Sequence, residues 1–380
     1  MTVELSQLHD ELRAVARDVL GGASPLDGDG GAPAPANWPQ MAEMGWLGLE
    51  VPEGLGGSGA TFAEVAVLLE EMGRAATVSP FLGTGVLGVG ALLLAEATAE
   101  RDELLEQIAT GRTRFATVCA DVGAVPAPPG SFAPSVPFVL GAAGAGLQLD
   151  GRADLVVDAP GADRLLVLAL DGDGEPALVV VDPRAAGLRL SDQPLVDETR
   201  SMGTVVADAT PVPPGSVLRI SGDPARSVRR IADRGALAVA CDSVGLSRAM
   251  LDATVAYACV RQQFGRPIGS FQAVKHACAD MLVRVTVSEE LVRAAVADLV
   301  ADDPQASASV SMAKAHAGQG AVEAAGKAMQ LHGGIGYAWE SGVHVYLKRA
   351  ALDRTLFGSP VHHRRRLAER VLQGSRPDRS

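Results

Sequence analysis

The sequence predicts an α+β multidomain protein. An N-terminal α-helical domain covers residues 1–112, a middle antiparallel β-barrel-like domain covers 113–223, and a C-terminal long four-helix bundle covers 224–380. Three observations predict this order. Apolar residues recur at helical spacing in the first third. Short Val- and Leu-rich runs alternate with turn clusters in the second. Helical spacing then returns over much longer spans.

In the first region Leu5, Leu8, Leu12, Val15 and Val19 form one stripe, and Phe62, Val65, Leu68 and Leu69 form another that ends before Gly73. The Gly/Pro/Ala-rich residues 21–36 between them read as a surface loop. The uncharged stretch Ala75–Ala95 resembles a membrane span only superficially: Pro80, Gly83, Gly85, Gly88 and Gly90 interrupt it, so it reads as a buried helix with its connection. Strands are expected at Phe115–Cys119, Leu155–Val157, Leu165–Leu170, Ala177–Val181 and Thr204–Val206, with turns at Asp171–Gly174 and Asp182-Pro183. The Pro-rich Val125–Val136 reads as an irregular loop. Three long helices follow, over roughly 226–262, 271–301 and 304–331. The third is rich in small residues (Ala313, Ala317, Gly318, Gly320, Ala321) that allow a neighbouring helix to approach closely.

Composition excludes several classes. With 380 residues, 47% hydrophobic and 21% charged, the chain is not disordered. Its 33 basic and 45 acidic side chains give a net charge of −12, which argues against nucleic acid and anionic membranes as partners. Lysine is confined to Lys275, Lys314, Lys327 and Lys348; with abundant Ala, Gly and Val, this points to coding bias in a GC-rich bacterium. Cys119, Cys241, Cys259 and Cys278 lack disulfide or zinc spacing, and no signal peptide is apparent, so a cytoplasmic location is expected.

Two segments of the last third carry chemistry. Arg261-Gln-Gln-Phe-Gly-Arg-Pro-Ile-Gly-Ser-Phe-Gln-Ala-Val-Lys-His lies at the break between the two longest helices, and Gln330-Leu-His-Gly-Gly-Ile-Gly-Tyr ends the third. A cation beside an aromatic in such a loop can hold a phosphate and stack a purine, and a Gly-Gly pair admits a close backbone or pyrophosphate. Each segment alone also suits an ordinary helix C-cap, with Gly265 or Gly333 as the cap glycine.

Taken together and in this order, the two segments strongly resemble those of the acyl-CoA dehydrogenase family of flavoproteins. Trp38–Gly73, with Gly-Trp-Leu-Gly-Leu-Glu-Val-Pro-Glu-Gly-Leu-Gly-Gly-Ser-Gly, resembles the family's N-terminal helical domain, and the helical–β–helical order matches its fold. The resemblance implies FAD as cofactor and an acyl-CoA thioester as substrate. It also implies that Arg261, Gln263, Phe264, Gln330, Gly333 and Gly334 contact the adenosine-diphosphate end of a neighbouring subunit's FAD. Ser359 falls where the family has a Thr on the pyrophosphate of the subunit's own FAD.

The family reaction needs a carboxylate to remove the α-proton while the β-hydrogen leaves as hydride to the flavin; such a base contributes about 10²–10⁴-fold. At the two positions where the family places that Glu, this chain has Phe357 and Gly235, and Ala236 replaces an adjacent family Arg. Asp233, two residues from Gly235, is the only substitute base in view, and a helix turns it off that face; its ordinary reading is a surface charge beside Arg229 and Arg230. Ala120-Asp121-Val122 and Leu155-Val156-Val157-Asp158 align with the segments that hold and cover the flavin ring, without their hydroxyls and aromatics. Features for a flavin held in cis are degraded, whereas those offered in trans remain.

The resemblance is therefore to the subunit lacking the base in actinobacterial α2β2 acyl-CoA dehydrogenases of steroid breakdown, which carry one FAD per αβ pair. A homologous subunit carrying the Glu is the implied partner, in a tetramer. Alternatives are a homomeric enzyme with an unconventional base, a flavin-dependent oxygenase on the same fold, and a flavin-free binding module. Among the other residues, His362, His363, Arg364, Arg365 and Arg366 read as a solvated or interface basic face, His332 and Glu340 as structural, and Trp38 and Trp46 as core.

Overall fold

The computed structural model describes residues 2–21, 24–26, 33–119, 136–144 and 146–374. The first part is helical: α1 (Thr2–Gly21), α2 (Trp38–Glu43), α3 (Phe62–Arg74), α4 (Val89–Leu92) and α5 (Ala99–Ala109). Helix α3 starts in a capping box, with the Thr61 hydroxyl accepting from the Ala63 N–H and Glu64 accepting from the Thr61 N–H. Ion pairs fasten α1 to α3: Arg17 Nη2 lies 2.7 Å from Glu71, and His9 Nε2 lies 2.8 Å from Glu64. Trp46 is buried as expected, and the Trp38 indole N–H donates to the Gly111 carbonyl.

The stretch read as a buried helix with its connection is buried and helical over Leu82–Leu92, but its first part, Leu82–Gly88, is a π-helix that runs into α4. The wider coil leaves groups for outside partners. The Gly83 N–H donates to Asp158 (2.8 Å), the Thr84 hydroxyl donates to the Phe115 carbonyl, and the Val86 carbonyl accepts from Arg234.

The middle part is an eight-stranded sheet comprising β1 (Phe115–Val118), β2 (Phe138–Ala143), β3 (Gly146–Val157), β4 (Arg164–Leu170), β5 (Pro176–Val181), β6 (Leu188–Asp192), β7 (Met202–Val212) and β8 (Val217–Arg219). The strand path is β6-β7-β3-β2-β4-β5-β8, with β1 also on β4. Pairing is antiparallel apart from β1–β4 and β2–β4, which are parallel. The hairpin predicted at Asp171–Gly174 joins β4 to β5, and the Asp171 carboxylate accepts from the Asp173 and Glu175 N–H groups. Strands β2, β6 and β8 were not expected, and most of the loop read at 125–136 lies outside the described residues.

The last part holds α6 (Pro224–Val260), α7 (Gln272–Val300), α8 (Ala306–His332), α9 (Val343–Thr355) and α10 (Pro360–Gly374), close to the three long spans read from the pattern. Helices α3 and α6 cross at backbone contact. A Cβ on Gly73 would lie 2.1 Å from the Asp242 carbonyl oxygen, and one on Gly245 1.9 Å from that of Glu70. Between the three parts runs a buried ionic network. Arg349 on α9 makes two bonds to Asp242 on α6 (2.9 and 2.5 Å) and one to the Thr77 carbonyl (2.8 Å). Arg200, from the β6–β7 connection, reaches both Asp242 (3.2 Å) and Asp353 (3.1 Å).

Candidate functional site

The two positions that would carry a base meet in space. Gly235 lies in the first half of α6, and Phe357 lies on the turn after α9; a Cβ on Gly235 would come within 2.4 Å of the Phe357 ring. The ring is half-buried and packs against two hydrophobic clusters at once, one shared with Ala236 and Leu356, the other with Ile231 and Phe115. The ring occupies the space directly over Gly235, so a side chain at 235 would have to displace it.

Asp233 is buried rather than the surface charge anticipated. Its carboxylate accepts from the Arg366 guanidinium on α10 (2.7 and 3.3 Å) and from the Ser307 hydroxyl at the start of α8. A base tied on both oxygens to another helix is poorly placed to take a proton from a ligand beside Gly235. The next residue, Arg234, points elsewhere. It donates to the Val86 carbonyl (2.7 Å), pairs with Glu50 and lies 4.7 Å above the Phe62 ring. Ser359 is the N-terminal cap of α10, its hydroxyl accepting from the His362 N–H at 3.3 Å.

The segments matched to the flavin ring diverge in their outcomes. Ala120-Asp121-Val122 lies outside the described residues. Leu155 and Asp158 adopt left-handed backbone (φ 55° and 59°), and Val156 and Val157 are buried. The Asp158 carboxyl, pushed up to about 6 by burial, is turned onto the Gly83 N–H. Residues 155–158 thus close against the N-terminal helices with no hydroxyl or aromatic for a flavin ring.

The other predicted group assembles at the far end of α6. A two-residue hairpin, β9 (Gln262–Gln263) with β10 (Arg266–Pro267), carries Phe264 at its tip in left-handed conformation (φ 56°), followed by Gly265. Phe264 is 91% exposed, edge-on to Phe271, over which the Arg266 guanidinium sits at 4.1 Å. The end of α8 lies alongside. The His332 ring stacks on Tyr257 of α6 at 4.4 Å and its Nδ1–H donates to the Ala328 carbonyl, which confirms its structural role. Gln330, Gly333 and Gly334 are exposed, as are Arg261 and Gln263. Beside them Ile335, Tyr337 and Trp339 are also exposed, an apolar rim that periodicity did not single out because it lies in a loop.

These two groups are about 26 residues apart on one helix, which at about 1.5 Å per residue is about 39 Å. A separate cleft of about 1160 Å³ between α1, α3, α6 and α7 includes neither group.

Sequence reading does not single out Lys314 and places His363 and Arg366 only on a basic face; the fold brings Lys314 and His363 to the Phe357 turn and Arg366 to Asp233. Lys314 is the one cation on an otherwise small-residue stretch of α8, and that was the available signal. His363 is buried, not on a solvated face.

A helical–sheet–helical chain of this topology defines a class by its fold, that of the acyl-CoA dehydrogenases. Comparison with known proteins sharpens it. The family model described as acyl-CoA dehydrogenase, N-terminal domain, matches residues 2–112, and the C-terminal domain model matches 226–372. The acyl-CoA dehydrogenase IpdE2 of Mycolicibacterium smegmatis is 32% identical over 339 residues, covering 89% of this chain and 88% of its own. A solved steroid acyl-CoA dehydrogenase, Tcur3481-Tcur3483, is 28% identical with a TM-score of 0.82, covering 98% and 99% of the two chains. The ChsE4-ChsE5 complex from Mycobacterium tuberculosis superposes equally well (TM-score 0.82, 97% and 98% covered) at 23% identity, a likeness of fold. The chain belongs to the acyl-CoA dehydrogenase family.

Proposed function

We propose that this chain is the subunit without a base in a heteromeric acyl-CoA dehydrogenase, completing the FAD site of a homologous subunit that carries the catalytic Glu. The observation that carries this reading is the contact of Phe357 with Gly235, which fills the place of the base, while Arg261, Gln263, Phe264, Gln330, Gly333 and Gly334 remain exposed. A bound FAD supplies the hydride acceptor for α,β-dehydrogenation. This chain's own residues fit the dinucleotide end of such a cofactor and not its ring. Arg261 offers an exposed cation, Gln263 and Gln330 offer amides, Phe264 offers a stacking face, and Gly333-Gly334 offers main chain that a phosphate can approach. The α-proton would be taken by the partner's carboxylate, because Asp233 is spent on Arg366 and Ser307.

Support also comes from the relatives. One solved neighbour, 28% identical, is named as a pair of chains and as a steroid enzyme, which favours a bulky acyl-CoA and a second chain type as partner; cytoplasmic catabolism and a tetramer remain part of the proposal. Coexpression with a homologous chain that retains the Glu tests the reading. The expected result is one FAD per pair and activity only in the pair. One FAD per protomer in the purified chain alone, with ordinary acyl-CoA oxidation, would overturn it. Loss of α-proton exchange in Asp233→Asn would revive the homomeric alternative.

A further inference from the structure

The turn that carries Phe357 is held in an unusual way. Phe357 and Gly358 are both left-handed (φ 53° and 101°), and a Cβ on Gly358 would lie 2.8 Å from the His362 ring and 2.9 Å from that of His363. For a phenylalanine this backbone is uphill, so its surroundings must impose it. They do so through carbonyls. Lys314 Nζ on α8 donates to the Arg354 carbonyl (3.2 Å) and the Gly358 carbonyl (3.0 Å), and His363 Nε2–H on α10 donates to the Phe357 carbonyl (2.9 Å). Both side chains are buried, Lys314 completely.

We propose that Lys314 and His363 are positioning residues that pin this turn by its main chain and thereby keep the Phe357 ring seated on Gly235, shutting the thioester position from within the chain. The proposal rests on reading 235 and 357 as the two base positions. It explains why a lysine is kept in a dry site whose hydrogen bonds go to carbonyls and not to a carboxylate. An apolar chain of equal length would fill the space more cheaply but strand the two carbonyls. Burial pulls Lys314 down to about 8. Burial, with Lys314 beside it, takes His363 to about 3, so at neutral pH the imidazole is an uncharged donor with its proton on Nε2.

The test uses the full chain labelled with 4-fluorophenylalanine, the Phe357 line being identified by its loss in Phe357→Leu. In the unaltered protein that line is expected to be single and shifted by its packed surroundings. In Lys314→Met and His363→Leu it moves toward the solvent-exposed position, and the amides of 357–359 and 361–363 exchange about tenfold faster, the loss of one hydrogen bond. His363→Gln, which keeps a donor, retains the original line. Unmoved lines at the remaining phenylalanines report an intact fold; if Lys314→Met does not fold, the His363→Leu and His363→Gln pair decides. An unchanged Phe357 line and unchanged exchange in His363→Leu would overturn the proposal. Because no flavin is needed, this outcome is independent of the FAD count that judges the assembly.

Discussion

His363 shows how one buried ring couples this turn to pH. Its folded value, about 3, lies below the ordinary 6.5 because burial penalises the imidazolium. On acidification the unfolded chain therefore takes up the proton first. The sign follows: stability is whole above pH 6.5 and is lost as pH falls from there toward 3, at up to about 1.4 kcal/mol per pH unit. Between pH 7.5 and 5 the unfolding midpoint in urea should drop by the equivalent of about 2 kcal/mol from this group. His363→Gln, which has no such proton to gain, should show a shallower slope over the same interval. Equal slopes in the two proteins would mean that the imidazole is not held neutral.

At the scale of elements, α6 is where the sequence spoke clearly and where it fell silent. Its apolar spacing marked a long helix over roughly 226–262, and the structure starts it at Pro224 behind an Asp223 cap. The spacing could not show that Gly235 faces a phenyl ring 122 positions away, nor that Asp233 pairs with Arg366, since both partners come from elements that only packing places there. A substitution measures that contact. Gly→Ala inside a helix ordinarily gains up to about 1 kcal/mol. Here the added Cβ would sit 2.4 Å from Phe357, so Gly235→Ala should instead cost about 1–3 kcal/mol, the range for overpacking. In the Gly235→Ala, Phe357→Ala double variant the penalties should be less than additive, read as a coupling energy in chemical denaturation. Additive costs would separate the two positions. The π-helical Leu82–Gly88 was illegible for a related reason: an uncharged, glycine-punctuated run has no periodicity to distinguish one coil from another. Strand β6, with its exposed residues, and β8, three residues long, were too weakly patterned to stand out.

For the whole molecule, two features decide how the parts act together. The first is the ionic junction of Arg349, Asp242, Arg200 and Asp353, which ties helices to sheet. Burial works against ionising Asp242, but Arg349 and Arg200 overcome it and hold its carboxyl far down, while burial drives Asp353 well above the carboxylate range. Such a cluster is costly to break from one side. Arg349→Met should lose about 3–5 kcal/mol, and adding Asp242→Leu should restore part of it, because the second change removes the stranded charge. A double variant less stable than the single one would refute that account.

The second feature is the outward face formed by Arg261, Phe264, Gln330 and Gly333–Gly334. It differs physically from the junction in its exposure: Phe264 is 91% exposed, its ring contact among the described residues being edge-on to Phe271. Removing an exposed side chain ordinarily changes stability by no more than about 0.5 kcal/mol. Phe264→Ala and Arg261→Ala should therefore leave the unfolding midpoint of the isolated chain in place. If these residues complete a site across a subunit boundary, the same changes should lower the FAD retained by the coexpressed pair, since a stacked aromatic and a cation each contribute about 1–3 kcal/mol to such contacts. The separation of the two readouts is the argument. A residue kept for folding would move the midpoint, one kept for a partner's cofactor would move only the flavin content, and a pair that keeps its full FAD after both changes would show that this face serves neither.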